Sequence, residues 1–186
     1  MRLYIGLLHY PVYNKNHEVI ASSITNFDLH DLSRLAKTYG VKGFFVITPL
    51  KDQQIFAERI LCHWTSGYGA HYNRDRRKAI ELVALSSSLN EAIEEVSKRE
   101  GETPLLIATD ASRGCATAIT HARAREIIAS ERVVILIFGT AWGLERSLIE
   151  RADYLLEPVE GPTDYNHLSV RSAAAIILDR LTGRPL

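Results

Sequence analysis

The sequence predicts an α/β fold, a mostly parallel sheet with helices on both faces, and three features carry that expectation. Short, nearly continuous apolar runs recur at 3–8, 42–48, 105–108, 133–138 and 154–156. Such runs mark strands buried on both faces of a parallel sheet. Between them lie segments with apolar residues at helical spacing, so strand and helix alternate. The last two runs stop at loops rich in Gly, Pro, Thr and Asn, 139–144 and 157–168. Ligands of open α/β sheets sit outside the carboxyl ends of the strands, so these loops are the first candidates for a site.

Residues 3–8 (LYIGLL) are the first strand. Residues 10–23 are polar, with Pro11, Asn14 and Asn16, and read as a long loop. Over 25–39 the residues Leu29, Leu32, Leu35 or Ala36, and Tyr39 share one helical face. Thr25 three residues before Asp28 gives a capping signal, and Gly40 stops the helix. The stretch 42–48 (KGFFVIT) is the second strand. Pro49 opens a helix over 51–64, with Ile55, Phe56, Ile60 and Trp64 expected inward. The Gly- and Tyr-rich stretch 65–73 is expected to be an exposed loop, and 75–85 a short helix that starts very basic. Ser88 and Glu91 form a capping box for a helix over 89–99. A strand at 105–108, a loop at 109–114 and a helix over 116–130 follow. The strands 133–138 and 154–156 and an alanine-rich amphipathic segment close the chain. No repeat, low-complexity tract or Pro/Gly/Ser linker interrupts it, so residues 1–186 are expected to form one domain.

A chain of 186 residues, 46% of them hydrophobic, can bury a real core. Lys plus Arg number 22 against 22 Asp plus Glu. A free-standing nucleic-acid binder is usually basic overall, so this balance argues mildly against one while leaving room for a local basic patch. The two cysteines, Cys62 and Cys115, form no CxxC, which argues against a disulfide framework or a zinc site and fits a reducing compartment. The amino-terminal run is too short for a signal-peptide core. No run approaches the roughly 20 apolar residues of a membrane span. A cytoplasmic protein with no membrane segment and no metal is expected.

Gly139-Thr140-Ala141-Trp142-Gly143 is neither a Walker A loop nor GxGxxG. Alone it fits a tight turn as well as a ligand cradle. Asn166 and Ser169 fit caps of the last helix, His167 fits a surface residue, and the basic cluster 74–78 fits a solvated helix face. The set as a whole favours a site. Three C-terminal strands end in small or polar residues, at Thr109-Asp110, 139–144 and 157–169. Side by side, such loops offer main-chain N–H and C=O groups to an adenine and a ribose.

Four stretches carry a resemblance: LHYPVYNK (8–15), TNFDLHDLSRLAKTYGVKGFFVIT (25–48), FGTAWGL (138–144) and LEPVEGPTDYNHLSVRSAAAIILDRL (156–181). Through them the chain resembles, nearly end to end, a bacterial family of the SPOUT class of S-adenosylmethionine-dependent RNA methyltransferases. The resemblance extends to the 2′-O-ribose methyltransferases of the class. Their first motif is an Asn, an Arg six residues on and a Gly six further; here Asp28, Arg34 and Gly40 occupy those places. Their second, G-x-E-x-x-G-L, is here one residue shorter and lacks the Glu. Their third, roughly S-L-N-x-S-V-A-A, has here one residue too many between Asn166 and Ser169.

The resemblance implies a C-terminal trefoil knot over about 104–182 and a homodimer with each site completed across the interface. It implies methyl transfer from S-adenosylmethionine to structured RNA, tRNA or rRNA, at a ribose 2′-O or a base nitrogen. It assigns catalysis to Arg34, Asn166 and Ser169, with His30, Asp28 and Asn14 as lesser candidates near the substrate. It assigns the cofactor to Thr109, Gly139, Thr140, Gly143, Leu144, Leu156, Pro158, Asn166, Leu168 and Ser169. RNA would be met by Arg74, Arg76, Arg77 and Lys78, with Tyr68, His71 and Tyr72 for stacking, and by a second patch at Arg113, Arg123 and Arg125. The alanine-rich face of 172–177 suits close packing within the knot or between subunits. Two other readings compete. One is a knotted module that binds the cofactor or RNA without catalysis, suggested by the missing Glu and zero net charge. The other is an unrelated α/β nucleotide-binding protein.

Overall fold

Strand and helix alternate as the apolar runs require. The computed structural model describes residues 1–111 and 117–184. In chain order the elements are β1 (Leu3–Leu8), β2 (Val12–Tyr13), β3 (Val19–Ile20), α1 (Asn26–Thr38), β4 (Gly43–Ile47) and α2 (Lys51–Thr65). Next come α3 (Tyr68–Tyr72), α4 (Arg74–Ile80), β5 (Val83–Ser86), α5 (Leu89–Glu100), β6 (Leu105–Thr109) and β7 (Ala118–Ile119). The last are α6 (His121–Ala129), β8 (Val134–Gly139), α7 (Arg146–Arg151), β9 (Tyr154–Leu156) and α8 (Val170–Thr182).

One seven-stranded sheet runs in the order β5-β4-β1-β8-β6-β9-β7, every pairing parallel. Because side chains alternate along a strand, each strand feeds two cores. Leu3, Ile5 and Leu7 pack with Leu29, Leu32, Ile127, Ile177 and Leu178 under α1, α6 and α8. Tyr4 and Leu8 pack with Phe45, Leu89, Val96 and Leu148 under α5 and α7. The alanine-rich α8 therefore settles within the chain, against α6, α1 and β8. At the amino end of the sheet Glu100 accepts from Tyr4 (2.6 Å), Arg2 (2.8 Å) and Lys42 (3.0 Å). These donors hold its carboxyl down at about 2.

Several elements depart from expectation, each for a local reason. The loop 10–23 contains the hairpin β2–β3, whose two-residue strands are too short to show a period. The helical period of α2 turns Ile55 and Phe56 inward, yet they are 47% and 42% exposed and only Ala57 is fully buried. The helix packs on α3, α4 and the sheet-edge strand β5, so it covers little of the sheet itself. Much of 65–73 is helical, not loop. Gly69 lets α3 lie close on α2, since a Cβ there would stand 2.7 Å from Trp64 Cε3. The stretch 75–85 divides into α4 and the half-buried β5, paired with β4. Helix α6 starts only at His121, where Thr120 accepts from the Arg123 N–H. The short strand β7 precedes it, and Ala116 lies outside the described residues.

Candidate active site

The carboxyl ends of β1, β8, β6, β9 and β7 share one edge of the sheet, which brings the loops after them together. The loop after β8 is bound on its outer side by the residues that follow β1. Thr140 donates through its N–H (3.2 Å) and its hydroxyl (2.9 Å) to the Leu8 carbonyl. Trp142 N–H donates to Tyr13 O (2.9 Å), Tyr13 N–H to Gly143 O (3.0 Å), and Val12 bridges Leu144. Gly139 is required by the loop itself, since a Cβ there would stand 2.6 Å from the Leu144 nitrogen. Gly143 adopts φ +100, the left-handed region, and a Cβ on it would meet Asp110 Oδ1 at 3.4 Å. The loop after β8 thus abuts the loop after β6.

The third loop reaches the same place. Asn166 Nδ2 lies 3.5 Å from the Ala111 carbonyl, a long contact. Leu156 is buried at the end of β9, Pro158 follows it, and Leu168 is exposed near the start of α8. Thr109 turns its hydroxyl into the sheet, donating to Ile137 O at 3.0 Å. Of the residues assigned to the cofactor, Gly143 and Asn166 converge on 110–111 from two sides. Thr109, Leu156 and Gly139 end β6, β9 and β8, and Thr140 and Leu144 belong to the loop after β8. Arg113 and Cys115 lie outside the described residues, and Cys62 is exposed on α2.

Arg34 and Ser169 face one open groove of about 540 Å³ between α1 and α8, which Asp31, Arg171 and Ser172 also line. Ser169 caps α8, its side chain accepting from the Ser172 N–H, so the structural role that its position suggests is in place. Arg171 sits 3.9 Å from Asp28 Oδ1, 3.8 Å from Asp31 Oδ2 and 5.2 Å over the Phe27 ring. Arg34 is exposed in the same groove. Asp28, which replaces the Asn of the ribose enzymes, is the buried partner of Thr25 in the α1 capping box. Asn14 closes the β2–β3 turn, its Oδ1 accepting from Asn16 and Glu18 N–H groups. Neither lines the groove.

Helix α4 packs on α1, and Arg34 and Arg76 both bear on His30. Burial lowers the His30 pKa first, and the Arg76 and Arg34 charges lower it further. The basic face and the groove thus lie on one side of the molecule. Much of that charge is already engaged. Arg77 pairs with Glu81 (2.8 Å), Lys78 with Asp75 (3.0 Å), and Arg76 stacks over Trp64 at 4.7 Å. Arg74 is exposed, and Tyr68 and Tyr72 stand stacked 6.0 Å apart beside it in sequence.

Two constellations escaped the sequence reading. His9 Nδ1 lies 2.9 Å from Ser22 Oγ, which lies 2.5 Å from Thr140 Oγ1. Thr140 gives its one proton to Leu8, so Ser22 donates to Thr140 and His9 Nδ1–H to Ser22. Burial pushes the His9 imidazole down to about 4, against the pull of Asp28. The second is His121 with Glu157. One oxygen, Oε1, accepts from the His121 main-chain N–H (2.6 Å) and from its Nδ1 (2.8 Å). These donors lower the Glu157 pKa. His121 Nε2 is buried without a partner, one residue beyond Thr120 at the edge where β7 and β9 end. Residues 9, 22 and 140, like 121 and 157, meet only through sheet topology, and no local spacing signals them. Among the described residues no group of three or more His, Cys, Asp or Glu is placed to hold a metal ion. Among them, too, no helix is long and apolar enough to cross a membrane.

Three adjoining loops at the carboxyl edge of a parallel sheet are where a nucleoside-bearing cofactor is expected. The comparisons with known proteins agree. Residues 2–183 match the family model described as SAM-dependent RNA methyltransferase. A tRNA (guanine-N(1)-)-methyltransferase of Oleidesulfovibrio alaskensis is 43% identical over 184 residues, 99% of this chain but 43% of the relative. The chain thus spans less than half the length of that curated relative. An uncharacterized protein of Aquifex aeolicus is 40% identical over 182 residues, 98% of this chain and 89% of the relative. The crystal structure of TrmJ from Z. mobilis ZM4 superposes with a TM-score of 0.63 at 15% identity, covering 96% of this chain and 67% of that one. That likeness extends to the fold.

Proposed function

The chain belongs to the SAM-dependent RNA methyltransferase family, and from that premise we propose that it methylates a base ring nitrogen of tRNA. The observation that carries this reading is the convergence of the loops after β8 and β9 on residues 110–111, at the carboxyl edge of β9, β6 and β8. The choice of tRNA and ring nitrogen follows the name of the Oleidesulfovibrio relative. The departures from the ribose-enzyme motifs, Asp28 among them, favour the same choice. More than half of that relative lies outside the match, so the target atom has to be tested on this chain.

Bound there, S-adenosylmethionine would supply an electrophilic methyl group for in-line transfer to the target nitrogen. The residues of the chain have to hold the target nitrogen in line and help its proton leave. Gly139, Thr140, Gly143, Leu144, Leu156, Pro158 and Leu168 shape the cofactor loops, with Thr109 at the end of β6. Arg34 presents its guanidinium to a phosphate or to the developing charge. Asn166 and Ser169 join the cofactor loop to the groove. Arg74, Arg76, Arg77 and Lys78 meet phosphates on the same side. The last strands and α8 form a trefoil knot over about 104–182, and two copies assemble as a homodimer in the cytoplasm.

Incubation with labelled S-adenosylmethionine and unfractionated tRNA, followed by nucleoside mass spectrometry, tests the reading. A methylated base is expected. Label confined to a ribose would overturn the target atom, and no label on any RNA would overturn the activity.

A further inference from the structure

Trp142 is 62% exposed, although burying an indole is among the larger apolar gains open to a fold. Its position is fixed. Ala141 before it (φ 52) is left-handed, a strain that persists only where the surroundings enforce it, and Gly143 after it (φ 100) takes a conformation open to glycine. Here Trp142 N–H donates to Tyr13 O (2.9 Å), Gly143 N–H to Thr140 O (3.0 Å), and Tyr13 N–H to Gly143 O (3.0 Å). Leu144 of the same loop is buried. The loop therefore turns its leucine inward and holds its tryptophan out.

The place is specific. Gly143, beside Trp142, abuts Asp110, and Asn166 reaches Ala111. Tyr165, next to Asn166, is 74% exposed. Two exposed aromatic side chains thus stand on neighbouring loops around the point where the site converges.

We propose that Trp142 is a base-stacking residue, a rigid platform for an unpaired nucleobase of the RNA substrate at the mouth of the site. The occupant follows from charge as well as shape. The chain has no net charge, and Arg77 and Lys78 reach a phosphate only by giving up the carboxylates they hold. Phosphate contacts alone give weak holding in such a chain. Stacking needs no charge and accepts any base. An outward indole also suits a macromolecular ligand better than a cofactor held by the inward side of the loop.

This inference rests on the RNA methyltransferase reading. Its test is steady-state methylation of unfractionated tRNA by the wild type, Trp142→Ala and Trp142→Phe, with the S-adenosylmethionine Kd measured for each. Trp142→Ala is expected to raise the KM for tRNA about tenfold or more, as removal of one stacking platform does. Its cofactor Kd should stay within about twofold of the wild type, and Trp142→Phe should restore most of the tRNA affinity. In a Trp64→Phe chain, an unpaired oligoribonucleotide should quench the remaining tryptophan emission. An unchanged tRNA KM in Trp142→Ala overturns the inference, as does an equal weakening of cofactor affinity. So does a shift of oligomeric state with tRNA KM unaltered, which would make Trp142 a contact between copies. If the wild type itself neither binds the cofactor nor methylates RNA, the proposed function fails and this inference with it.

Discussion

Thr140 donates its hydroxyl to the Leu8 carbonyl at 2.9 Å, joining the loop after β8 to the end of β1. It also lies 2.5 Å from Ser22 Oγ, so one side chain holds the loop, the first strand and the segment leading to α1. Thr140→Val keeps the shape and removes both bonds, leaving the Ser22 hydroxyl without its acceptor and the Leu8 carbonyl with the Thr140 N–H alone from this residue. A stability decrease of about 1–3 kcal/mol is expected in urea unfolding. Weaker S-adenosylmethionine binding should accompany it, because only main-chain bonds then hold the loop to β1. Unchanged stability and affinity would show that the neighbouring main-chain bonds hold the loop alone.

His9 makes stability depend on pH. Its folded pKa of about 4 lies below the ordinary histidine value of 6.5, so the unfolded chain takes up the proton first. The stabilisation is complete above about 6.5 and is lost as pH falls toward 4, to an extent of roughly 3 kcal/mol. His9→Gln, which does not titrate, should reduce the pH dependence between those limits, leaving the part due to His30, whose pKa burial also lowers. The contribution of Glu100 falls in a lower window, below its ordinary 4.5 and down to about 2, and should persist in that variant.

Arg34 lines the groove with Ser169 and is exposed there. Arg34→Ala is expected to lower kcat by about a hundredfold, with little change in cofactor affinity or melting temperature. An equal decrease in transfer and binding would make Arg34 structural.

The cations of α4 sit in exposed pairs, Arg77 with Glu81 and Lys78 with Asp75, which are individually weak. A phosphate can displace those carboxylates. Replacing Arg74, Arg77 and Lys78 by Ala should weaken tRNA binding and reduce its salt slope by about one for each phosphate left without a cation. A slope equal to that of the wild type would place the RNA elsewhere.

What the sequence made legible follows the range of each signal. The Thr25–Asp28 cap and the long apolar strands are local and dense, and they stand where expected. The sheet-edge strand β5 and the hairpin β2–β3 are short and half-buried, so their periods are faint. Ile55 and Phe56 misled because an apolar helical face need not meet the sheet. The pairings of His9 with Ser22 and Thr140, and of His121 with Glu157, depend on strand order alone. The groove holding Arg34 and Ser169 joins helices far apart in the chain, and only the family motifs linked them.

S-adenosylmethionine is expected to bind at the carboxyl edge of β9, β6 and β8. Amide hydrogen exchange with and without the cofactor tests it most directly. Protection should appear in residues 109–111, 139–144 and 156–169, with α2 to α4 unchanged. Protection centred on α2 to α4, or none anywhere at saturating cofactor, would contradict the account.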